Sequence, residues 1–115
     1  MLSEQNSISL IQKIESENLF KKLIQQLNKD FQLSNLDQHF DLSMAPNQLK
    51  QSLSEILVDL ITNKYDDYLN FLYRVDVSEK ELLTIKSNEL PQLVEQITFL
   101  ILKREYQKVW FKNKL

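Results

Sequence analysis

Hydrophobic residues recur along most of this chain at intervals of three and four, the spacing that places side chains on one face of an α-helix. Residues 46–63 show this pattern most simply, and Pro46 suits the first turn of a helix. Their apolar positions form a single stripe, made of Leu49, Leu53, Ile56, Leu57, Leu60 and Ile61. The spacing predicts a helix that packs against a core with one face.

Two shorter helices are predicted to follow, over residues 64–74 and 79–87. The apolar side of the first is made of Tyr65, Tyr68, Leu69, Leu72 and Tyr73. Phe71 lies off that stripe. The second begins with a capping box, in which the Ser78 hydroxyl accepts a backbone hydrogen bond and the Glu81 side chain bonds back. Asn88 is predicted to end this helix in the left-handed conformation.

The first thirty residues carry two apolar faces that point in nearly opposite directions. One contains Ile8, Leu10, Ile11 and Ile14, and the other contains Phe20, Leu23, Ile24, Leu27 and Phe31. A straight helix would need cover on both sides, so we expect either a break near Ser16, which could cap a second helix, or a separate N-terminal helix or arm over residues 1–15. Residues 32–45 mix helical and alternating spacing and are predicted to form a loop with one helical turn.

The final helix, predicted over residues 91–112 with Pro91 at its start, has two apolar stripes. The first stripe is made of Leu93, Val94, Ile97, Leu100 and Ile101, and the second, on the opposite side, of Phe99, Leu102, Tyr106, Val109 and Trp110. The second stripe is covered either by the N-terminal segment or by another chain. Because large aromatic residues are frequent in binding surfaces, this stripe and Phe71 are the possible interface residues.

Composition supports a helical fold and removes several classes of site. The chain contains no glycine, which excludes the glycine-rich loops that bind phosphates and dinucleotides and disfavours tight β-turns. It also contains no cysteine, so there is no disulfide framework or thiolate metal site. We predict one all-α domain over residues 1–115, an irregular bundle of four to six helices. Its predicted core is Leu53, Ile56, Leu57, Leu60, Leu69, Leu72, Ile97, Leu100 and Ile101.

Charge is distributed unevenly along the chain. The net charge is −2, yet residues 100–115 hold five basic residues against Glu105, a local balance of +4. These are Lys103, Arg104, Lys108, Lys112 and Lys114. One alternative is contact with nucleic acid through this basic helix, although the sequence pI of about 5.4 disfavours it. The other is that the cations stabilise the negative end of the helix dipole.

Catalytic motifs are missing, so we expect no enzyme activity, no catalytic residue and no cofactor. Asp37, His39 and Asp41 could together bind a metal ion, which makes a small metal-dependent protein or enzyme an alternative function. Their spacing matches no standard metal motif, and a solvated loop is the simpler interpretation. Arg74 and Asp76 are expected to form structural ion pairs, with each other or with a neighbouring helix.

Two segments resemble those of small uncharacterised helical proteins from bacteria: residues 72–82 (LYRVDVSEKEL) and residues 102–110 (LKREYQKVW). The resemblance covers about residues 56–112 and implies a bacterial cytoplasmic protein with no known activity. No apolar run approaches the ~18 residues that span a bilayer, and the first residues lack the features of a signal peptide. The sequence therefore favours a cytosolic interaction or accessory module that binds a protein partner or a second copy of itself through its C-terminal helix.

Overall fold

The structure is a computed structural model and describes residues 6–115. Every regular element in this range is a helix, which confirms the predicted all-α fold. The helices are α1 (Ser7–Ser16), α2 (Phe20–Leu33), α3 (Pro46–Asn63), α4 (Tyr65–Val75), α5 (Glu79–Leu82) and α6 (Leu90–Lys114). The longest, α6, contacts α1, α2, α3 and α4 and is the central helix of the bundle.

The predicted break near Ser16 separates α1 from α2. Asn18 between them has a φ of 60°, the left-handed conformation that asparagine tolerates better than most residues. Ser16 does not cap α2 as predicted. Its hydroxyl instead donates to the carbonyl of Lys13, and α2 begins after Leu19 without a side-chain cap.

The break allows both apolar faces of the N-terminal segment to be buried against different neighbours. α1 packs on α3 and α6, with Ile11 and Ile14 in the core, whereas α2 packs on α4 and α6. Within the predicted N-terminal segment, residues 7–15 are therefore part of the packed bundle. Residues 1–5 of that segment lie outside the described residues.

The loop between α2 and α3 is held by one side chain. The Asn28 amide donates to the Phe40 carbonyl at 2.9 Å and accepts from the Phe40 backbone N–H at 2.7 Å. This pairing orients the Phe40 ring into the core, where it meets Phe31 edge to face. The helical turn predicted in this segment does not form, because Asn28 satisfies backbone groups that a helix would pair internally.

The predicted apolar side of α4 is right at Tyr68 and Leu72 and wrong at its other three residues. Phe71 is fully buried and stacks on Phe31, with ring centroids 4.9 Å apart. The buried face of α4 is Tyr68, Phe71, Leu72 and Val75, while Tyr65, Leu69 and Tyr73 are exposed. α4 ends at Val75. With Val75 included, the buried residues of α4 recur at positions i, i+3, i+4 and i+7, and Phe71 of this stripe contacts α2. Leu69 is therefore not a core residue.

The start of α5 follows the prediction only in part. Ser78 Oγ accepts from the Glu81 backbone N–H at 3.0 Å, but the Glu81 carboxylate pairs with Lys103 of α6 instead of bonding back. The helix ends at Leu82, before the predicted end. Asn88 is not left-handed; among the described residues, positive φ occurs just after α1, α2 and α4, at Asn18, Asn35 and Asp76.

The remaining predicted core residues lie inside the bundle. Leu53, Leu57, Leu60, Leu72, Ile97 and Ile101 are buried, and Ile56 and Leu100 are partly buried against them. Among residues 6–115, no helix combines the length and apolar character needed to cross a membrane.

Candidate functional site

Three of the six possible interface residues belong to the core of this chain. Phe71, Leu102 and Val109 are buried, with 0%, 0% and 3% of their surface exposed. Their prediction as partner contacts is corrected, because no partner reaches them while the bundle is folded. At Leu102 and Val109 the second stripe of α6 is covered from within the chain, which is the other arrangement predicted for it. Here α6 packs against α1 and α2.

Tyr106 forms a contact between α6 and the end of α1. Its hydroxyl donates to Glu17 Oε1 at 2.7 Å, and Lys13 Nζ lies 5.8 Å from its ring centroid. Partial burial, with smaller effects from the hydrogen bond and the charge of Glu17, raises the pKa of Tyr106 to about 12. Tyr106 therefore packs against the N-terminal segment, as one of the two predicted arrangements requires.

Phe99 is half-buried beside α5. It lines a groove of about 590 Å³ together with Ile85 and Leu100, and the charged residues Glu81 and Lys103 lie at its edge. Glu81 and Lys103 form an ion pair with each other. These two residues therefore leave no net charge at that edge of the groove.

The last turns of α6 extend beyond the core and present two aromatic rings. Trp110 and Phe111 are 39% and 61% exposed, and their rings meet edge to face with centroids 5.4 Å apart. Lys114 Nζ lies 5.2 Å from the Trp110 ring centroid. We call this the terminal surface, defined by Trp110, Phe111, Lys112, Lys114 and Leu115. Phe111 is absent from the predicted set because the first stripe, on whose line it lies five turns after Leu93, is predicted to end at Ile101.

The basic residues of α6 mostly contact other parts of the chain. Lys103 pairs with Glu81 of α5 at 2.6 Å. Arg104 pairs with Asp76 at 3.1 Å, so Asp76 joins a neighbouring helix, which is one of the arrangements expected for it. Much of the positive charge of this helix is therefore used in holding α5 and the end of α4.

A cluster of charged side chains lies inside the bundle where α2, α4 and α6 meet. Asp30 of α2 is 2% exposed and Glu105 of α6 is fully buried. Lys108 Nζ lies 2.9 Å from Asp30 Oδ2 and 3.2 Å from Glu105 Oε1, and it donates to the carbonyl of Arg74 at 3.1 Å. The Gln26 amide donates to Asp30 at 3.3 Å. One ammonium group thus connects three helices.

Glu105 is the least solvated member of this buried cluster. Burial, the largest effect, and the neighbouring Asp30 carboxylate together raise its pKa to about 9 against a weaker opposing effect of Lys108. Lys108 approaches at ion-pair distance, yet neither Glu105 oxygen receives a well-directed hydrogen bond. Glu105 is accordingly protonated at neutral pH.

The buried cluster positions α6 rather than performing chemistry on a ligand. A substrate cannot reach the fully covered Glu105 carboxyl, whereas Lys108 fixes the helix turn immediately before the terminal surface. Buried ion pairs are often no more stabilising than apolar residues of similar size, because desolvation offsets their attraction. In this chain the Asp30–Lys108 pair fixes the position of α6 against α2.

The sequence contains a signal for this cluster that the analysis of apolar stripes missed. Asp30 falls between Leu27 and Phe31 on the buried face of α2, and Glu105 falls between Leu102 and Val109 on the buried face of α6. A carboxylate inside an apolar helical stripe must find a partner, since an unpaired buried charge is very costly. Packing the buried face of α2 against the buried face of α6 would predict that Asp30 and Glu105 lie close together.

The segment with Asp37, His39 and Asp41, considered as an alternative metal site, is held by local hydrogen bonds. The Asp41 carboxylate accepts hydrogen bonds from the Ser43 hydroxyl and backbone N–H, which lower its pKa, with a smaller effect from His39. Within residues 6–115, no three His, Cys, Asp or Glu side chains are grouped as metal ligands. Asp37, His39 and Asp41 therefore do not converge on one point.

No family model, curated protein or solved structure matches this chain. The geometry of the described residues is accordingly the basis for the function proposed below.

Proposed function

We propose that this chain is a small, non-catalytic bacterial protein of the cytoplasm that binds another protein through its terminal surface. The observation that supports this is the exposure of Trp110 and Phe111, side by side, on turns of α6 that extend past the core. Aromatic residues of this kind dominate the energy of many protein interfaces. Burying each exposed ring against a partner would contribute about 1.5–3 kcal/mol.

The terminal surface is held in place before any partner arrives. Lys108 fixes one side of α6 through Asp30 and the carbonyl of Arg74, and Tyr106 fixes another side through Glu17. A preorganised surface loses less conformational entropy on binding. These contacts therefore favour a role of α6 as a rigid element that presents its two rings.

Alanine substitution of the rings tests this function. Trp110→Ala and Phe111→Ala chains would be compared with wild type for molar mass by light scattering and for complexes captured from native cells and quantified by mass spectrometry. Leu83→Ala is the matched control, since Leu83 is an exposed apolar residue outside the terminal surface. We expect the ring variants to remain folded and to lose a complex that the control retains.

Two results would overturn the proposal. One is a wild-type chain that remains monomeric and captures nothing that depends on either ring. The other is a ring variant that keeps every wild-type complex. If a ring variant has a lower molar mass than wild type when each is purified without other proteins, the partner is a second copy of the chain.

A further inference from the structure

Two adjoining grooves run along the outer side of α2 and share Gln25 and Lys29. The first, of about 280 Å³, lies between α2 and the end of α6, with Val109 among its lining residues. The second, of about 570 Å³, lies between α2 and the loop over residues 34–45 and includes His39. We call the combined depression the α2 trough.

The α2 trough is positively charged in a chain whose net charge is −2. Lys22, Lys29 and Lys112 line it, and no carboxylate is among its described lining residues. Lys22 donates to the Asn113 side chain at 2.7 Å and Lys112 to the Gln26 side chain at 2.8 Å. Both acceptors are neutral amides, so these hydrogen bonds leave the positive charges uncompensated.

The nearby acids are occupied elsewhere. Asp30 is buried and paired with Lys108, and the Asp41 carboxylate is bonded to Ser43. Asp37 lies two residues from His39 in the loop and is not a lining residue. An anion bound in the trough would therefore contact the three lysines, and no carboxylate among the described lining residues would compete with it.

The spacing of the lysines indicates an elongated ligand. Lys22 and Lys29 are seven residues apart on one helix, a rise of about 10.5 Å. An extended acidic segment can give each lysine its own carboxylate, whereas a single small anion requires both side chains to bend toward one point. Gln25 between the two lysines and Gln32 beyond Lys29 can donate to and accept from peptide groups.

We propose that the α2 trough binds an acidic peptide segment of the protein partner, with carboxylates along Lys22, Lys29 and Lys112 and main-chain groups on the glutamine amides. This inference rests on the proposed function, since it names the chemistry of the partner. Lys112 belongs to both the trough and the terminal surface, so one partner can occupy the two together. A peptide fits better than a nucleic acid, because no Phe, Tyr or Trp ring is among the lining residues to stack on bases.

Titration with a dodecaglutamate peptide, followed by NMR of the ¹⁵N-labelled chain at low salt, tests the inference. We expect amide shifts along the outer face of α2 and the last turn of α6. Replacing Lys22, Lys29 and Lys112 together by glutamine should weaken binding about tenfold or more. The matched control replaces Lys64, Lys80 and Lys86 by glutamine, which changes the net charge equally away from the trough and should have a smaller effect.

Three outcomes would overturn the inference: no binding of the peptide, equal weakening in the control variant, or tighter binding of a twelve-residue thymidine oligonucleotide in the same titration.

The Trp110→Ala and Phe111→Ala chains separate this inference from the proposed function. If they keep every native complex while the trough still binds dodecaglutamate, the proposed function fails and the peptide site stands. If they lose a native complex while the trough binds no peptide, only the trough inference fails.

Discussion

Lys108 Nζ lies 2.9 Å from Asp30 Oδ2 at a position where Asp30 is almost completely buried, so an ion pair joins α6 to α2 inside the apolar core. Replacing Lys108 by methionine would keep the length of the side chain and leave the Asp30 carboxylate without its cation. Breaking one partner of a buried pair costs about 3–5 kcal/mol. We expect Lys108→Met to lower the free energy of unfolding by this amount in urea denaturation at pH 7.

Replacing all three ionisable residues of the cluster should lower the free energy of unfolding much less than replacing Lys108 alone. A chain with Asp30→Leu, Glu105→Met and Lys108→Met has no buried charge left at this site. Such replacements of buried ionic groups are often neutral or stabilising. We expect the triple variant to lie within about 2 kcal/mol of wild type. A triple variant less stable than Lys108→Met alone would show that the cluster contributes more than charge balance.

The raised pKa of Glu105 makes stability depend on pH in a defined direction. In the unfolded chain Glu105 ionises near its ordinary pKa of 4.5, whereas in the folded chain its pKa is about 9. Between these values the folded state holds a proton that the unfolded state releases. The stability from this group is therefore fully present below about pH 4.5 and is lost as the pH rises through 9.

Glu105→Gln removes this titration and should change the pH profile. We expect wild type to lose stability relative to Glu105→Gln as the pH rises from 5 to 9, by at most about 1.4 kcal/mol per pH unit. Urea denaturation of both chains at pH 5, 7 and 9 measures the difference. Glu15→Gln, at an exposed glutamate of α1, controls for the loss of a carboxyl group. A difference that stays constant with pH would contradict the assignment.

Phe71 and Tyr73 lie two residues apart on α4 but should respond oppositely to truncation. Phe71 is buried and stacked on Phe31, whereas Tyr73 is 79% exposed. We expect Phe71→Ala to cost about 3–5 kcal/mol and Tyr73→Ala about 0.5 kcal/mol or less. Thermal and urea denaturation of the two variants measures both values. Equal losses would mean that α4 does not present the face described above.

Asn35 tests how a chain without glycine makes its turns. It has a φ of 60° two residues after the end of α2, where a side chain with a Cβ is strained and asparagine is among the better tolerated residues. We expect Asn35→Ala to destabilise the fold by about 1 kcal/mol and Asn35→Gly to change stability by less than that. An alanine variant as stable as the glycine variant would contradict a left-handed conformation at this position.

The fold class and most helix positions can be predicted from the sequence, because local periodicity and capping are properties of neighbouring residues. The start of α3 at Pro46, the interruption near Ser16 and the backbone cap at Ser78 all follow from residues a few positions apart. Without glycine, the left-handed positions after three helices are taken by Asn18, Asn35 and Asp76, residue types that tolerate positive φ better than most.

Which neighbour covers each apolar face depends on how the helices pack. The position of Phe71 is not predicted correctly, because a helical stripe shows which side chains share a face but not which neighbour that face meets. The pairing of Asp30 with Lys108 joins residues 78 positions apart, beyond the range of any local pattern. The same limit applies to the α2 trough, whose lysines come together only because α6 packs beside α2 and brings Lys112 next to Gln26.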